Sequence, residues 1–300
     1  MRPFFSYYGA KYTVAKYAGA PRRDFVIEPF AGSAAYSTRY APRRVALYDV
    51  SPDICDLWDW LIHCSEGDIR TIPDSFDDFE QVTQLPRGAN LLVRFWISKG
   101  RAEPSDTISP WYFRHRNDRD CKVWGASVKA RIIAQKPFIA AWTVDNLPYW
   151  KIPVQEAHWH IDPPYNNVAG SRYPFSSIDY GHLADWCAKL PGAVDVFENV
   201  GATWLPFEPL CEVVSSRGRR SGAVSCEAIA RLDSEIQQLR EYDVNGCKLH
   251  YGVDAELIEW MLRKPCPAPS PLAELLAMHA EQSRVMDDLR IIVDSWFSHG

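Results

Sequence analysis

The 300-residue chain reads as an α/β protein whose open sheet is split by a mostly helical insert. Three observations predict this. Two short apolar runs, Asp24-Phe25-Val26-Ile27-Glu28 and Val45-Ala46-Leu47-Tyr48-Asp49, each end in an acid, 21 positions apart. A third run, Ala157-His158-Trp159-His160-Ile161, ends at the tetrapeptide Asp162-Pro163-Pro164-Tyr165. Between them, residues 55–150 read as helical, with an amphipathic stretch from Val123 to Ile133.

The N-terminal segment Tyr7-Tyr8-Gly9-Ala10-Lys11 is short and polar, with no apolar run behind it of the kind a signal peptide needs. The first strand is followed by Pro29-Phe30-Ala31-Gly32-Ser33-Ala34-Ala35, a tight loop that leads into a helix capped near Ser33. Asp49, at the end of the second run, stands where a Rossmann-like sheet holds ribose hydroxyls. The loop carries one glycine, Gly32, and lacks the GxGxxG pattern that lets a backbone approach a pyrophosphate. A nucleoside cofactor without phosphates, such as S-adenosylmethionine (AdoMet), therefore fits better than NAD.

The insert differs from the rest of the chain in charge. From Arg94 to Lys136 there are ten Lys/Arg and four acids, a net +6 in a chain of net −5, so the remainder carries −11. Phe95, Trp96, Trp111, Tyr112, Phe113 and Trp124 are interleaved with those charges. Cations with aromatics suit phosphate contact and base stacking.

The third run opens the second half of the sheet, and in open α/β sheets ligands bind beyond such C-terminal strand ends. Asp162 is a hydrogen-bond acceptor. Two prolines fix the backbone and leave carbonyls that only accept, and Tyr165 supplies a stacking ring. The combination suits the holding of a planar exocyclic amine. Further strands are expected at Ala193–Phe197, Cys211–Val214 and Cys226–Ala230. Arg217-Gly218-Arg219-Arg220-Ser221-Gly222 reads as a basic loop. Pro265 to Pro271 alternates prolines and reads as a stiff linker. Leu272, Leu275, Leu276, Met286, Leu289, Val293 and Trp296 then recur at helical spacing, as in a helix docked on its own domain.

No stretch approaches the roughly 18 consecutive apolar residues of a membrane span. The eight cysteines never form a CxxC, which predicts reduced thiols in a cytosol rather than a zinc site or disulfide framework. His158 and His160 share one strand face without a third ligand nearby and are expected to pack. No metal is expected.

Taken together, these motifs resemble the DPPY-type DNA adenine-N6 methyltransferases, the Dam-like and phage adenine methylases. The resemblance covers most of residues 4–232 and includes motif order: aromatic-x-Gly-x-Lys, Glu-Pro-Phe-x-Gly, an Asp at the second strand, then DPPY. This is the family's α arrangement. It implies an AdoMet-binding and catalytic domain of residues 1–54 and 151–264, a DNA target-recognition insert of residues 55–150, and a terminal segment of residues 265–300. By position it implies AdoMet contacts from Tyr7, Lys11, Phe30, Gly32, Asp49 and Asp162. The catalytic group would be Asp162, Pro163 and Tyr165, which hold the N6 amine of a flipped adenine for direct methyl transfer. Arg114, Arg116, Arg119, Lys122, Arg217, Arg219 and Arg220 are the expected contacts to double-stranded DNA. A cytoplasmic enzyme of restriction-modification or phage type is implied.

Two departures from the family stand out. Ala10 replaces a glycine common in the first motif, and no Gly-x-Phe-Asn-x-Pro segment of GATC methylases is present, so methylation of GATC does not follow. Two alternatives stay open. The same amine-holding box serves cytosine N4, RNA or a glutamine side chain in related enzymes, although those acting on cytosine and glutamine usually begin the tetrapeptide with Ser and Asn. The chain could also be a non-catalytic DNA-binding relative.

Overall fold

The computed structural model describes residues 1–117, 123–214 and 224–232, together with two short strands nearer the C-terminus. It divides into two units, Met1–Asp233 and Ser234–Gly300. In the second, Asp243–Val244 pairs antiparallel with Cys247–Lys248. The predicted linker and terminal helix lie outside the described residues.

The first unit is built on a seven-stranded sheet. After a short helix α1 (Ala15–Ala18), the chain forms β1 (Phe25–Glu28), α2 (Ala35–Tyr40) and β2 (Arg44–Tyr48). A run of helices follows: α3 (Pro52–His63), α4 (Glu66–Thr71), α5 (Phe79–Thr83), α6 (Arg87–Ile97), α7 (Pro110–His115) and α8 (Ala126–Gln135). The chain then returns through β3 (Thr143–Asp145), β4 (Ala157–Ile161), α9 (Tyr180–Cys187), β5 (Gly192–Asn199), β6 (Glu208–Val214) and β7 (Val224–Arg231). The strand order is β3-β2-β1-β4-β5-β7-β6. Strands β3 to β5 in that row are parallel, and β7 runs antiparallel between β5 and β6. The fold is α/β, and its first five strands follow the Rossmann order.

Alternation assigns the two faces. Val26, Val45 and Leu47 point into a large core shared with Trp58, Leu92, Phe95, Trp124 and Val128 of the helical run. Ile27, Ala46, Ala157, Trp159 and Val194 point the other way, against Leu183 and Cys187 of α9. Such strands, buried on both faces, read as continuous apolar runs, which is why they stand out in the sequence.

Three details differ from the sequence expectations. The sheet takes β3 from the segment read as helical, pairing Ala46 with Thr143. Ser33 does not cap α2: Ala34 holds that position in the left-handed region (φ 43°), with no side-chain cap. The basic, aromatic segment is partly turned inward, although Lys99, Arg101, Phe113 and Arg114 are exposed. Phe95, Trp96, Tyr112 and Trp124 are buried. Lys129 donates to the carbonyls of Arg70 and Ile72 and pairs with Asp74, and Lys136 donates to those of Leu61 and Ile62. These cations satisfy carbonyls at the ends of α3 and α4 that have no intrahelical partner. Among the described helices, none is long and apolar enough to cross a membrane.

Candidate functional site

The chain moves from β1 toward one edge through β2 and β3, and toward the other through β4 and β5. The switch point therefore falls between β1 and β4, where a crevice opens beyond the strand ends. A cleft lies there. Tyr7, Lys11, Phe30, Gly32, Asp49 and Asp162, scattered over 156 positions, all line it. Glu28, Tyr173 and Phe175 line it too.

Each position has a local cause. Gly32 turns at φ +45°, and a Cβ there would lie 2.8 Å from the Tyr7 ring, so this aromatic approaches the loop so closely only because the loop has a glycine. The Gly32 amide donates to Asp49 Oδ2 at 2.9 Å, and the Ser51 amide to Oδ1 at 2.9 Å. Each carboxylate oxygen keeps a lone pair for a ligand hydroxyl. Burial raises the Asp49 pKa, against the lowering effect of those amides. Gly9 (φ +69°) leaves room for the Tyr173 hydroxyl, which donates to the Tyr8 carbonyl at 3.0 Å.

A second, wider groove adjoins the first. Pro163, Tyr165 and Glu227 line it, with Lys99 and Arg172. Tyr7 to Lys11 and Tyr173 line both, forming the wall between them. The tetrapeptide is thus divided, with Asp162 and Pro164 facing the first cleft and Pro163 and Tyr165 the second. The Pro164 carbonyl accepts from the Tyr180 hydroxyl (2.7 Å) and the Tyr165 carbonyl from the Asn167 amide (2.7 Å). Asp162 Oδ1 is buried and has no hydrogen-bond partner among the described residues. Its neighbour is the Lys11 ammonium at 3.6 Å.

That lysine is crowded by acids. Its ammonium lies 3.9 Å from Glu227, 4.3 Å from the centre of the Tyr165 ring, and 3.1 Å from the Gly9 carbonyl to which it donates. Burial lowers its pKa, but the carboxylates of Asp162 and Glu227 outweigh that and raise it overall. Burial pushes Asp162 up to about 6; Lys11 opposes the shift and Glu227 adds to it. Glu28, buried and accepting the Ser37 amide at 2.9 Å, is pushed up to about 7 by desolvation.

Four residues escaped the sequence reading: Glu28, Tyr173, Glu198 and Glu227. Glu198 accepts from the amides of Asn166 (2.9 Å) and Asn199 (2.9 Å) and from the Trp204 indole (3.2 Å), fixing the backbone just past the tetrapeptide. Of these, Glu28 carried a signal, as the acid that ends the first run. His158 and His160 pack, both stacked on the Tyr36 ring at 5.2 and 4.2 Å. Among the described residues, no three His, Cys, Asp or Glu converge as a metal site.

The basic residues are placed unevenly. Arg114 is exposed on α7. Arg116 is tied down, donating to Asp77 at 2.6 Å and to the Phe76 carbonyl at 3.1 Å. Arg119, Lys122, Arg217, Arg219 and Arg220 lie outside the described residues. Lys99, which lines the second groove, also sits over the rings of Trp96 and Trp111.

Fold and site together define an α/β protein with a cleft at the switch point of a mostly parallel sheet. No protein-family model matches the chain, and no curated protein matches it significantly.

Proposed function

We propose that the protein transfers a methyl group from AdoMet to the N6 amine of adenine in double-stranded DNA. The observation that carries this reading is the pair of acceptors at the junction of the two clefts. Asp162 Oδ1 is buried without a hydrogen-bond partner, and the Pro163 carbonyl receives no bond from any described residue, whereas the carbonyls of Pro164 and Tyr165 are engaged. Asp162 Oδ1 has only the Lys11 ammonium near it, at 3.6 Å. One acceptor at each cleft, beside a ring that stacks, suits a group with two N–H donors.

The first cleft fits the donor. Asp49 has lone pairs for ribose hydroxyls, and the Gly32 cradle takes a flat group against Tyr7. Asp162, Glu227 and Glu198 gather around the single cation Lys11, an excess of negative charge that favours a cationic ligand. AdoMet supplies an electrophilic methyl on a sulfonium; transfer forms a carbon–nitrogen bond as the sulfur–carbon bond breaks, and one N6 proton leaves. The protein's residues position the acceptor. An adenine reaches them only after flipping out of the duplex, at a cost of a few kcal/mol. Asp162 accepts one N6 hydrogen and the Pro163 carbonyl the other, which aims the nitrogen lone pair, and Tyr165 stacks on the base. Orientation of this kind contributes mainly through effective concentration. Lys99 and Arg172 at the groove, with the exposed Arg114, supply phosphate contacts, and residues 55–150 act as the recognition insert.

The test is incubation of purified protein with methyl-labelled AdoMet and mixed-sequence duplex DNA, followed by nucleoside analysis. N6-methyladenine is expected, and it should be lost in Asp162→Ala. Label in N4-methylcytosine, or none in DNA at all, overturns the proposal.

A further inference from the structure

We propose that Glu227 is a positioning residue of the acceptor groove, holding the Tyr165 ring in its stacking orientation through the phenol hydroxyl. The inference rests on the transfer reading above and deepens it.

Glu227 lies within β7, next to the apolar run Ala228, Ile229 and Ala230, and is 4% exposed. A carboxylate in that position is costly unless its oxygens are bonded. Both are. Oε2 accepts from the Tyr165 hydroxyl at 2.7 Å, and Oε1 accepts from the Ser225 hydroxyl at 2.7 Å. A phenol has one proton to donate, and Tyr165 spends it here rather than on solvent. The ring is thereby held at both ends. At the backbone end, the Asn166 amide is held by Glu198 at 2.9 Å; at the hydroxyl end, Glu227 fixes the Oη. Since β5 carries Glu198 and β7 carries Glu227, paired through Glu198–Ala228 and Asn199–Glu227, one rigid piece of sheet sets the ring plane. Charge-assisted bonds of this kind are short and directional.

An apolar neighbour would bury the ring equally well without the cost of a desolvated acid. What the acid adds is direction, and direction is what a stacking plate beside an amine needs.

Single-turnover methylation, with AdoMet affinity measured by calorimetry, tests this on four proteins: Glu227→Ala, Glu227→Gln, Tyr165→Phe and the Glu227→Ala/Tyr165→Phe double variant. Glu227→Ala and Tyr165→Phe remove the same bond from its two sides, so each should slow transfer by about tenfold or more. The double variant should be no slower than the worse single one. Glu227→Gln keeps an acceptor oxygen and should recover at least about a third of the wild-type rate. AdoMet affinity in Tyr165→Phe should stay within about threefold of wild type, because the bond acts on the acceptor. Should Glu227→Ala fail to fold, Tyr165→Phe and Glu227→Gln carry the test alone. Glu227→Gln as slow as Tyr165→Phe, or losses that multiply in the double variant, overturns the proposal. Wild-type protein that transfers methyl at the same rate as Tyr165→Phe overturns it while leaving the transfer reading intact; wild-type protein that methylates no DNA overturns both.

Discussion

Asp162→Asn should make the folded protein more stable while removing its chemistry. The wild-type carboxyl has its pKa raised from 3.8 to about 6, chiefly by desolvation. A group whose folded pKa lies above its unfolded value favours folding in its protonated form. Its ionised form therefore opposes folding: the penalty is absent below about pH 4, grows as pH rises, and is complete above about pH 6. At 1.36 kcal/mol per unit, a shift of about two units amounts to roughly 3 kcal/mol. Asparagine approximates the neutral carboxyl in shape and removes that penalty. Some of the gain is offset because its amide needs partners of its own, leaving an expected 1–3 kcal/mol, or roughly 2–12 °C in Tm at the 2–4 °C per kcal/mol typical of domains this size. The assay is thermal melting of both proteins at pH 8 and pH 4.5 by near-ultraviolet circular dichroism. The gain should be large at pH 8 and small at pH 4.5. A variant that melts at or below the wild-type temperature at pH 8, or a gain equal at both pH values, refutes the argument that Asp162 is held ionised against its surroundings for function.

Two further outcomes follow from the geometry. Asp49→Ala loses both the ligand-facing lone pairs and the anchor of the Gly32 and Ser51 amides, so AdoMet affinity should fall at least about tenfold, as lost charged hydrogen bonds predict; unchanged calorimetric affinity would remove Asp49 from the cofactor site. Arg114→Ala, at an exposed position, should lower the salt dependence of DNA binding by up to about 0.9 in log–log slope, whereas Arg116→Ala, which breaks a pair with Asp77, should lower Tm and leave that slope alone. An unchanged slope in Arg114→Ala would remove Arg114 from the phosphate contacts.

The sheet was readable wherever a strand is buried on both faces. Val26-Ile27 and Val45-Ala46-Leu47 left dense apolar runs, as did Val194 to Phe197 despite the buried Asp195 within it. Strand β3 left none: Thr143–Asp145 is three residues at an edge, with only Val144 half-buried. The motif residues were legible for a related reason, because a strand that ends at a switch point delivers its next side chain into the crevice. Charge was the poorest guide. A count of lysines and arginines says nothing of where the long side chains end, and Lys129 and Lys136 end on helix carbonyls inside the fold. Glu227 was hidden by the opposite ambiguity, since an acid that alternates with apolar residues in a strand reads as solvent-facing. Its partner lies 62 positions away, and only the sheet brings them together.

Charge also discriminates between cofactors more sharply than the glycine count does. Asp162, Glu198 and Glu227 all act on the one ammonium of Lys11, and Glu28 lies close enough to feel Asp162. Desolvation, with a smaller push from neighbouring carboxylates, raises the pKa of Asp162 and of Glu28, and the field of these acids repels anions. A pyrophosphate placed across the end of β1 would add two negative charges beside them, with no glycine-rich loop to offer amides in compensation. A sulfonium and an α-ammonium would instead bring positive charge to the place where it is lacking, and would ease the ionisation of Asp162 that the amine requires. The single glycine and the surplus carboxylates are independent features of the chain. Both favour the AdoMet proposed above, and the acids would do so by an interaction that a measurement of the pH dependence of AdoMet binding would expose directly.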